Sequence, residues 1–438
     1  MPKKDIIFDL IAKEKRRQRM TLMMIPSENY TCPEVRKAVG SILMQKYAEG
    51  QPKKRYYQGM QFSDEIELLC EERALQAFDL NKNEWGANVQ PHSGCPANLA
   101  VYNALLEPGD KILSMYLNDG GHLSHGWHTP DKKITFVSKV WNVEFYKVNP
   151  RSRLLDYDQI EKQAVAFKPK LIVSGGTAYP REINHKRLSE IAHKLGAYYL
   201  ADVAHEAGLI AGGANSSPFP YADVVTMTTH KTLRGPRGAI IIAKKELLEK
   251  IDSSVFPGLQ GGPHIHSIAG IAIALAKTKT PEFKRYTKKV VENAKLLASE
   301  LSKKGFDVVS GGTDKHLILI DLRDKNINGW LVAWALEEAG IIVNRNTVPN
   351  ETASAFYPSG LRFGTPAITV RGMGKAEMIK IADLINKVVE HLGSKSIPEN
   401  PGKRKEYLSS FLAGIKKDSF LKKVRKEVLD MCRKFPVL

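Results

Sequence analysis

Between about residue 85 and residue 245, short apolar runs alternate with longer stretches whose apolar positions recur every three or four residues. The runs at 87–90, 111–116, 171–174, 198–201, 224–228 and 239–243 are bounded by Gly, Pro or Asp, which predicts buried strands. Segments 96–106, 156–167 and 186–195, lying between several of them, have the helical period. Strand followed by helix, repeated, predicts an α/β fold: a large, mostly parallel sheet with helices on both faces. In such sheets ligands bind at the carboxyl ends of the strands, where the polar clusters of this chain fall. A long helix is expected over 281–304, leading into a smaller α+β C-terminal domain. There 316–323 and 341–344 read as strands, 328–339, 375–391 and 420–434 as helices, and 393–402 as a loop with two prolines. The expected organisation is an N-terminal arm (1–45), a large domain (46–280) and a small domain (281–438).

Charge changes this picture only at the edges. The chain has 438 residues with 65 Lys+Arg against 47 Asp+Glu, a formal net charge of +18, of which residues 1–20 carry +4 and residues 394–438 carry +7. A basic tail can mark a polyanion partner. Here Phe420, Leu421, Val424, Val428 and Leu429 recur at helical spacing with Lys422, Lys423, Arg425 and Lys426 between them, the pattern of a solvated helix face, and nucleic acid is disfavoured. No apolar stretch is long enough to span a membrane. The first apolar patch is broken by Asp9, so it lacks a signal-peptide core. Cys32, Cys70, Cys95 and Cys432 show no paired spacing, which suits a reducing compartment, and a cytoplasmic location is expected.

Candidate chemistry sits after the strands. Residues 226–238 (Thr-Met-Thr-Thr-His-Lys-Thr-Leu-Arg-Gly-Pro-Arg-Gly) put Lys231 just beyond a strand, where desolvation would lower an amine's pKa and let it form imines. Asp202 ends another strand, and a carboxylate there needs a cation such as a pyridinium nitrogen. Pyridoxal phosphate chemistry uses this pair, a lysine for the aldehyde and an acid for the ring nitrogen. The small-residue turn at 90–98, containing Ser93, Gly94 and Cys95, would offer helix N-terminal amides to a phosphate, and 256–263 is a second glycine cluster. No GxxxxGK[ST] and no strand-associated GxGxxG occur, which disfavours nucleotide binding. His122, His125 and His128 stand at intervals of three, but the neighbouring glycines oppose the helix a metal site would need; one ring is expected to stack on a planar cofactor instead. Arg362, in what reads as a small-residue loop, suits a carboxylate or a salt bridge between domains, and the stretch 46–57 combines Glu49 with phenols.

Taken in order, Ser27-Glu28-Asn29-Tyr30, Thr228-Thr229-His230-Lys231-Thr232 and Arg362-Phe363-Gly364-Thr365-Pro366-Ala367-Ile368-Thr369 resemble the serine hydroxymethyltransferase family, fold-type-I pyridoxal-phosphate enzymes, over nearly the whole chain. The resemblance implies interconversion of L-serine and tetrahydrofolate with glycine and 5,10-methylenetetrahydrofolate, with some aldolase activity on 3-hydroxy amino acids, by a homodimer or dimer of dimers. It implies that Lys231 holds the cofactor, Asp202 pairs with the ring nitrogen, and His122 stacks on the ring. His205 and Thr177 lie near the phenolic oxygen, and His230 organises the lysine. Ser93, Gly94 and Cys95 cradle the phosphate, with Tyr47, Gly261 and Gly262 of the partner subunit. Ser27 and Arg362 take the substrate carboxylate. Glu49, also from the partner, manages a proton with Tyr57 close by, and Leu117, Leu123 and Asn346 line the folate pocket. The chain departs from the family pattern at Cys95 (usually Ser) and Gln58 (usually Gly), and 127–146 is longer than in many bacterial members and closer to eukaryotic ones. The alternatives are a threonine aldolase, or a hydroxymethyltransferase acting on a modified pterin or α-methylserine.

Overall fold

The computed structural model describes residues 5–437. It divides into two units, one running from Asn29 to Lys288 and the other joining the N-terminal residues through Glu28 to the chain from Lys289 onward. The boundary falls inside one long helix, Pro281–Lys303.

The larger unit is organised by seven strands: β1 (Trp85–Asn88), β2 (Lys111–Met115), β3 (Asn142–Tyr146), β4 (Leu171–Ser174), β5 (Tyr198–Asp202), β6 (Val224–Thr228) and β7 (Ala239–Lys244). Their order is β1-β7-β6-β5-β4-β2-β3, all running in one direction except β7, which is antiparallel to both neighbours. Every residue of β4 and β6 is buried, the unbroken apolar pattern of strands covered on both faces. Helix α1 (Gly94–Leu105) packs against β6 and β7, and α2 (His185–Lys194) against β4 and β5. Strand β3 was not expected. Val143 and Tyr146 turn inward while Asn142 and Glu144 face water, as befits an edge strand with one wet side, so no continuous apolar run marks it.

The smaller unit holds an antiparallel sheet, β8 (Asp307–Val308), β9 (Leu317–Asp321), β10 (Asn344–Asn346) and β11 (Gly360–Gly364), in the order β8-β9-β11-β10. The stretch expected as one strand over 341–344 is divided: Ile341–Ile342 pairs in parallel with Leu22–Met23, and β10 pairs with β11. The segment expected as a loop around Arg362 is β11 itself. Its glycines mark close approach of neighbours, not a turn: a Cβ on Gly360 would stand 2.4 Å from Val348 Cγ1, and one on Gly364 2.4 Å from Pro26 Cα. The last helix, Ser419–Lys434, buries Leu421, Val424, Val428 and Cys432 and exposes Lys422, Lys423, Arg425 and Lys426. The terminal lysines there are the outer face of a core helix. Among the described residues no helix is long and apolar enough to cross a membrane.

Candidate active site

Lys231 follows β6 by three residues and is 8 % exposed. Its loop is fixed through the backbone. The Lys231 carbonyl accepts from Arg234 N at 3.2 Å and from Asn29 Nδ2 at 2.9 Å, while Gly235 N donates to the Thr229 carbonyl at 2.7 Å. Below it, Thr232 Oγ1 donates to the His205 carbonyl and accepts from Gly208 N. A Cβ on Gly208 would lie 2.3 Å from the Thr232 carbonyl carbon, so only glycine lets the short helix Ala207–Ala211 approach so closely. His230 is largely enclosed beside this lysine. Burial, then the charges of Lys231 and Arg237, depress its imidazole to about 3, so it is neutral at physiological pH.

Asp202 ends β5, the strand next to β6. Its Oδ2 accepts from Asn98 Nδ2 at 2.8 Å and lies 3.0 Å from His125 Nε2, and its Oδ1 accepts from Ala204 N at 3.0 Å. Burial pushes the carboxyl upward, but the His125 hydrogen bond, the charges of His125 and His122 and the Asn98 amide together outweigh it. The group is held well below the usual carboxylate range. Asn98 also donates to Ser124 Oγ at 2.9 Å and accepts from Thr226 Oγ1 at 2.6 Å, and Ser124 Oγ lies 2.8 Å from His122 Nδ1. One buried amide thus ties α1, β5, β6 and the histidine turn together. The three histidines differ in use: His125 is buried on Asp202, His122 is half-buried beside Ser124, and His128 packs on Phe145 with ring centroids 4.8 Å apart.

Ser93 has the extended backbone of an N-cap, and Gly94 and Cys95 open α1. A Cβ on Gly94 would stand 2.8 Å from Thr228 Cγ2, so glycine keeps the helix start close against the end of β6. Thr177 N donates to the Gly120 carbonyl at 2.6 Å, bringing the turns after β2 and β4 together. Between them, a Cβ on Gly175 would meet the Asp202 carbonyl oxygen at 2.2 Å. Leu117 and Leu123 sit in short 3-10 turns after β2, and Leu123 is exposed. A buried lysine, an anionic aspartate on the adjacent strand and free-ended helix amides are the donor set that pyridoxal phosphate needs, and these residues fit it.

A second cluster is carried by the stretch 47–57. Tyr57 OH donates to Glu49 Oε2 at 2.7 Å, which raises the phenol's pKa, and the rings of Tyr47 and Tyr57 meet edge to face at 5.7 Å. Gly261 and Gly262 lie against it: a Cβ on the first would stand 3.2 Å from Glu49 Oε1, and on the second 3.4 Å from the Tyr47 ring. Tyr47 is 61 % exposed, so the cluster faces outward.

In the smaller unit Arg362 lies mid-strand, paired with Leu319 and Asn344, and its Nε donates to Asn344 Oδ1 at 3.0 Å. Burial alone draws its pKa down to about 10, which leaves it charged at neutral pH. Pro26 packs on Gly364 and Gly364 N donates to the Met24 carbonyl, which brings Ser27 to the same end of β11. Asn346 ends β10 and donates to the Thr347 carbonyl.

Asn98 and His125 were not singled out from sequence as parts of the site. Asn98 does leave a signal, a lone amide on the face of α1 that buries Ala97, Val101 and Tyr102, where a polar group must find partners.

A family model described as serine hydroxymethyltransferase matches residues 2–385. The chain is 45 % identical over 446 residues to the mitochondrial serine hydroxymethyltransferase of Schizosaccharomyces pombe, covering 98 % of this chain and 91 % of that protein. It is 45 % identical to the mitochondrial protein of Eremothecium gossypii (98 % and 90 % covered) and 43 % identical to the cytosolic one of Saccharomyces cerevisiae (98 % and 94 %). The chain belongs to the serine hydroxymethyltransferase family, pyridoxal-phosphate enzymes of fold type I.

Proposed function

We propose that this protein interconverts L-serine and tetrahydrofolate with glycine and 5,10-methylenetetrahydrofolate. The observation that carries the reading is the buried Lys231 beyond β6, next to a strand ending in an aspartate held anionic. Bound there, pyridoxal phosphate supplies an aldehyde for imine chemistry and a ring that accepts electrons when its nitrogen is protonated. Asp202, held anionic, would keep that nitrogen protonated, and His122 would stack on the ring. Ser93, Gly94 and Cys95 would offer backbone amides to the phosphate, and His205 and Thr177 would lie near the phenolic oxygen. His230, held neutral by burial and by the charges of Lys231 and Arg237, stands beside the lysine and organises its surroundings. Arg362 and Ser27 hold the amino-acid carboxylate. Glu49, hydrogen-bonded to Tyr57, would manage the proton of the serine hydroxyl or of the folate. Leu117, Leu123 and Asn346 are read as the lining of the folate pocket, which a pure aldolase would not need.

The active form is read as a homodimer, itself able to pair, in which Tyr47, Glu49, Gly261 and Gly262 serve the neighbouring subunit. Supporting this, Ile42, Met44, Tyr56 and Phe62, all near that cluster in sequence, are each more than 60 % exposed. All four cysteines are free, which suits a cytoplasmic location. Lys231→Gln is the test: the purified variant is expected to lose both the visible absorption of the bound cofactor and serine turnover. Retention of both would refute the assignment.

A further inference from the structure

The residues expected to handle the proton, Glu49 and Tyr57, lie at the two open ends of a small hairpin. Gly50 pairs with Arg55 and Gln51 with Lys54, and Tyr56 N donates to the Glu49 carbonyl at 3.2 Å. A two-residue ladder is too short to hold a catalytic carboxylate still. Beside it the Arg55 side chain, only 2 % exposed, folds back over its own hairpin. One Nη donates to the carbonyls of both Ala48 and Gly50, the residues on either side of Glu49. The rest of the guanidinium is fixed from helix Gln61–Ala77: Nε donates to Asp64 Oδ1 at 2.8 Å and the other Nη to Glu67, whose side chain is 0 % exposed. Asp64 Oδ2 also accepts from Lys53 N at 2.8 Å. Gln90, between β1 and the phosphate turn, completes the cluster by donating to Glu67 Oε1 at 2.6 Å and to the Gly50 carbonyl at 3.1 Å.

We propose that Arg55 is a positioning residue: anchored by Glu67 and Asp64, it clamps the backbone on both sides of Glu49 and so sets where that carboxylate and Tyr57 stand. This rests on the proposed proton-handling role of Glu49. A planar fork with five donors can serve four acceptors spread around it, which a lysine ammonium cannot. Arg55 therefore acts through the Glu49–Tyr57 pair, and its loss falls on the rate of the proton step more than on the capture of serine or cofactor.

Arg55→Lys is expected to lower kcat for folate-dependent serine conversion at least tenfold, with KM for serine and the cofactor absorption within twofold of the parent. In an Arg55→Lys/Glu49→Gln double variant the loss is expected to be no larger than for Glu49→Gln alone, whereas a merely structural defect adds to it. Hydrogen exchange at the Tyr56 amide is expected to speed up at least tenfold. A kcat within twofold of the parent, or a fully additive double variant, overturns the proposal. Should the parent itself fail to convert serine, the functional reading falls; the clamp is then decided by the Tyr56 amide, and unchanged exchange there overturns it. If Arg55→Lys does not fold, Asp64→Asn at the rim weakens one anchor and is expected to lower kcat two- to fivefold with the same unchanged KM; no change in kcat or exchange overturns the clamp.

Discussion

Replacing His125 is the sharpest perturbation of the cofactor site that leaves every expected cofactor contact in place. His125 is 1 % exposed and its Nε2 lies 3.0 Å from Asp202 Oδ2, so His125→Phe removes a hydrogen bond to a charged group while largely keeping the ring's shape. Such a bond contributes about 1.5–3 kcal/mol. At about 1.4 kcal/mol per unit, Asp202 then binds a proton one to two units more readily, because burial is no longer fully opposed. The carboxylate competes better for the ring proton, and the ring takes up electrons less well. If the barrier rises in step, kcat falls about tenfold to one-hundredfold. The assay is initial rates of glycine formation from serine with saturating tetrahydrofolate, beside His125→Gln, whose amide can reach the same oxygen and is expected to recover most of the activity. A Phe variant within twofold of the parent, or a Gln variant as slow as the Phe one, would show that the His125–Asp202 bond does not tune the site.

Three further outcomes follow from local geometry. Gly94→Ala puts a methyl 2.8 Å from Thr228 Cγ2 and should displace the start of α1, weakening pyridoxal phosphate binding at least tenfold in a fluorescence titration of the apoprotein; unchanged affinity would mean the cradle lies elsewhere. Cys95→Ser exchanges a weak donor for a good one, and the same titration should show two- to tenfold tighter binding, with equal or weaker binding counting against a phosphate contact by that side chain. Burial, followed by Glu67 and Asp252, raises the Glu71 carboxyl from its ordinary 4.5 to about 8. The folded state thus holds this proton where the unfolded chain has lost it, so the contribution is complete below about pH 4.5 and is lost as pH rises through 8. Glu71→Gln should accordingly gain in melting temperature over the parent between pH 5 and pH 9, whereas parallel profiles would contradict the raised value.

The large sheet was legible because most of its strands are enclosed on both faces and appear as unbroken apolar runs; Lys231 and Asp202 could be placed by counting from the ends of two of them. Strand β3 was hidden because an edge strand alternates, and β11 because Gly360 and Gly364, read as loop residues, are there to let Val348 and Pro26 approach. Side-chain direction was the other limit. Three histidines at equal spacing do not reveal which one meets Asp202; that depends on the 3-10 turn Leu123–His125 and on Asn98, which reaches in from a different helix. The Arg55 clamp leaves a faint trace. Glu67 stands at helical spacing with Ser63, Cys70 and Ala74 on a buried face, and a carboxylate there calls for a buried cation.

Glycine release from labelled serine by the cofactor-loaded protein, measured with and without tetrahydrofolate, decides whether a folate-dependent one-carbon transfer is built on Lys231. Rapid release that depends on tetrahydrofolate and disappears in Lys231→Gln is expected. Release at the same rate without the folate would identify an aldolase instead, and undiminished release by the Lys231→Gln protein would rule out Lys231 as the residue that holds the cofactor.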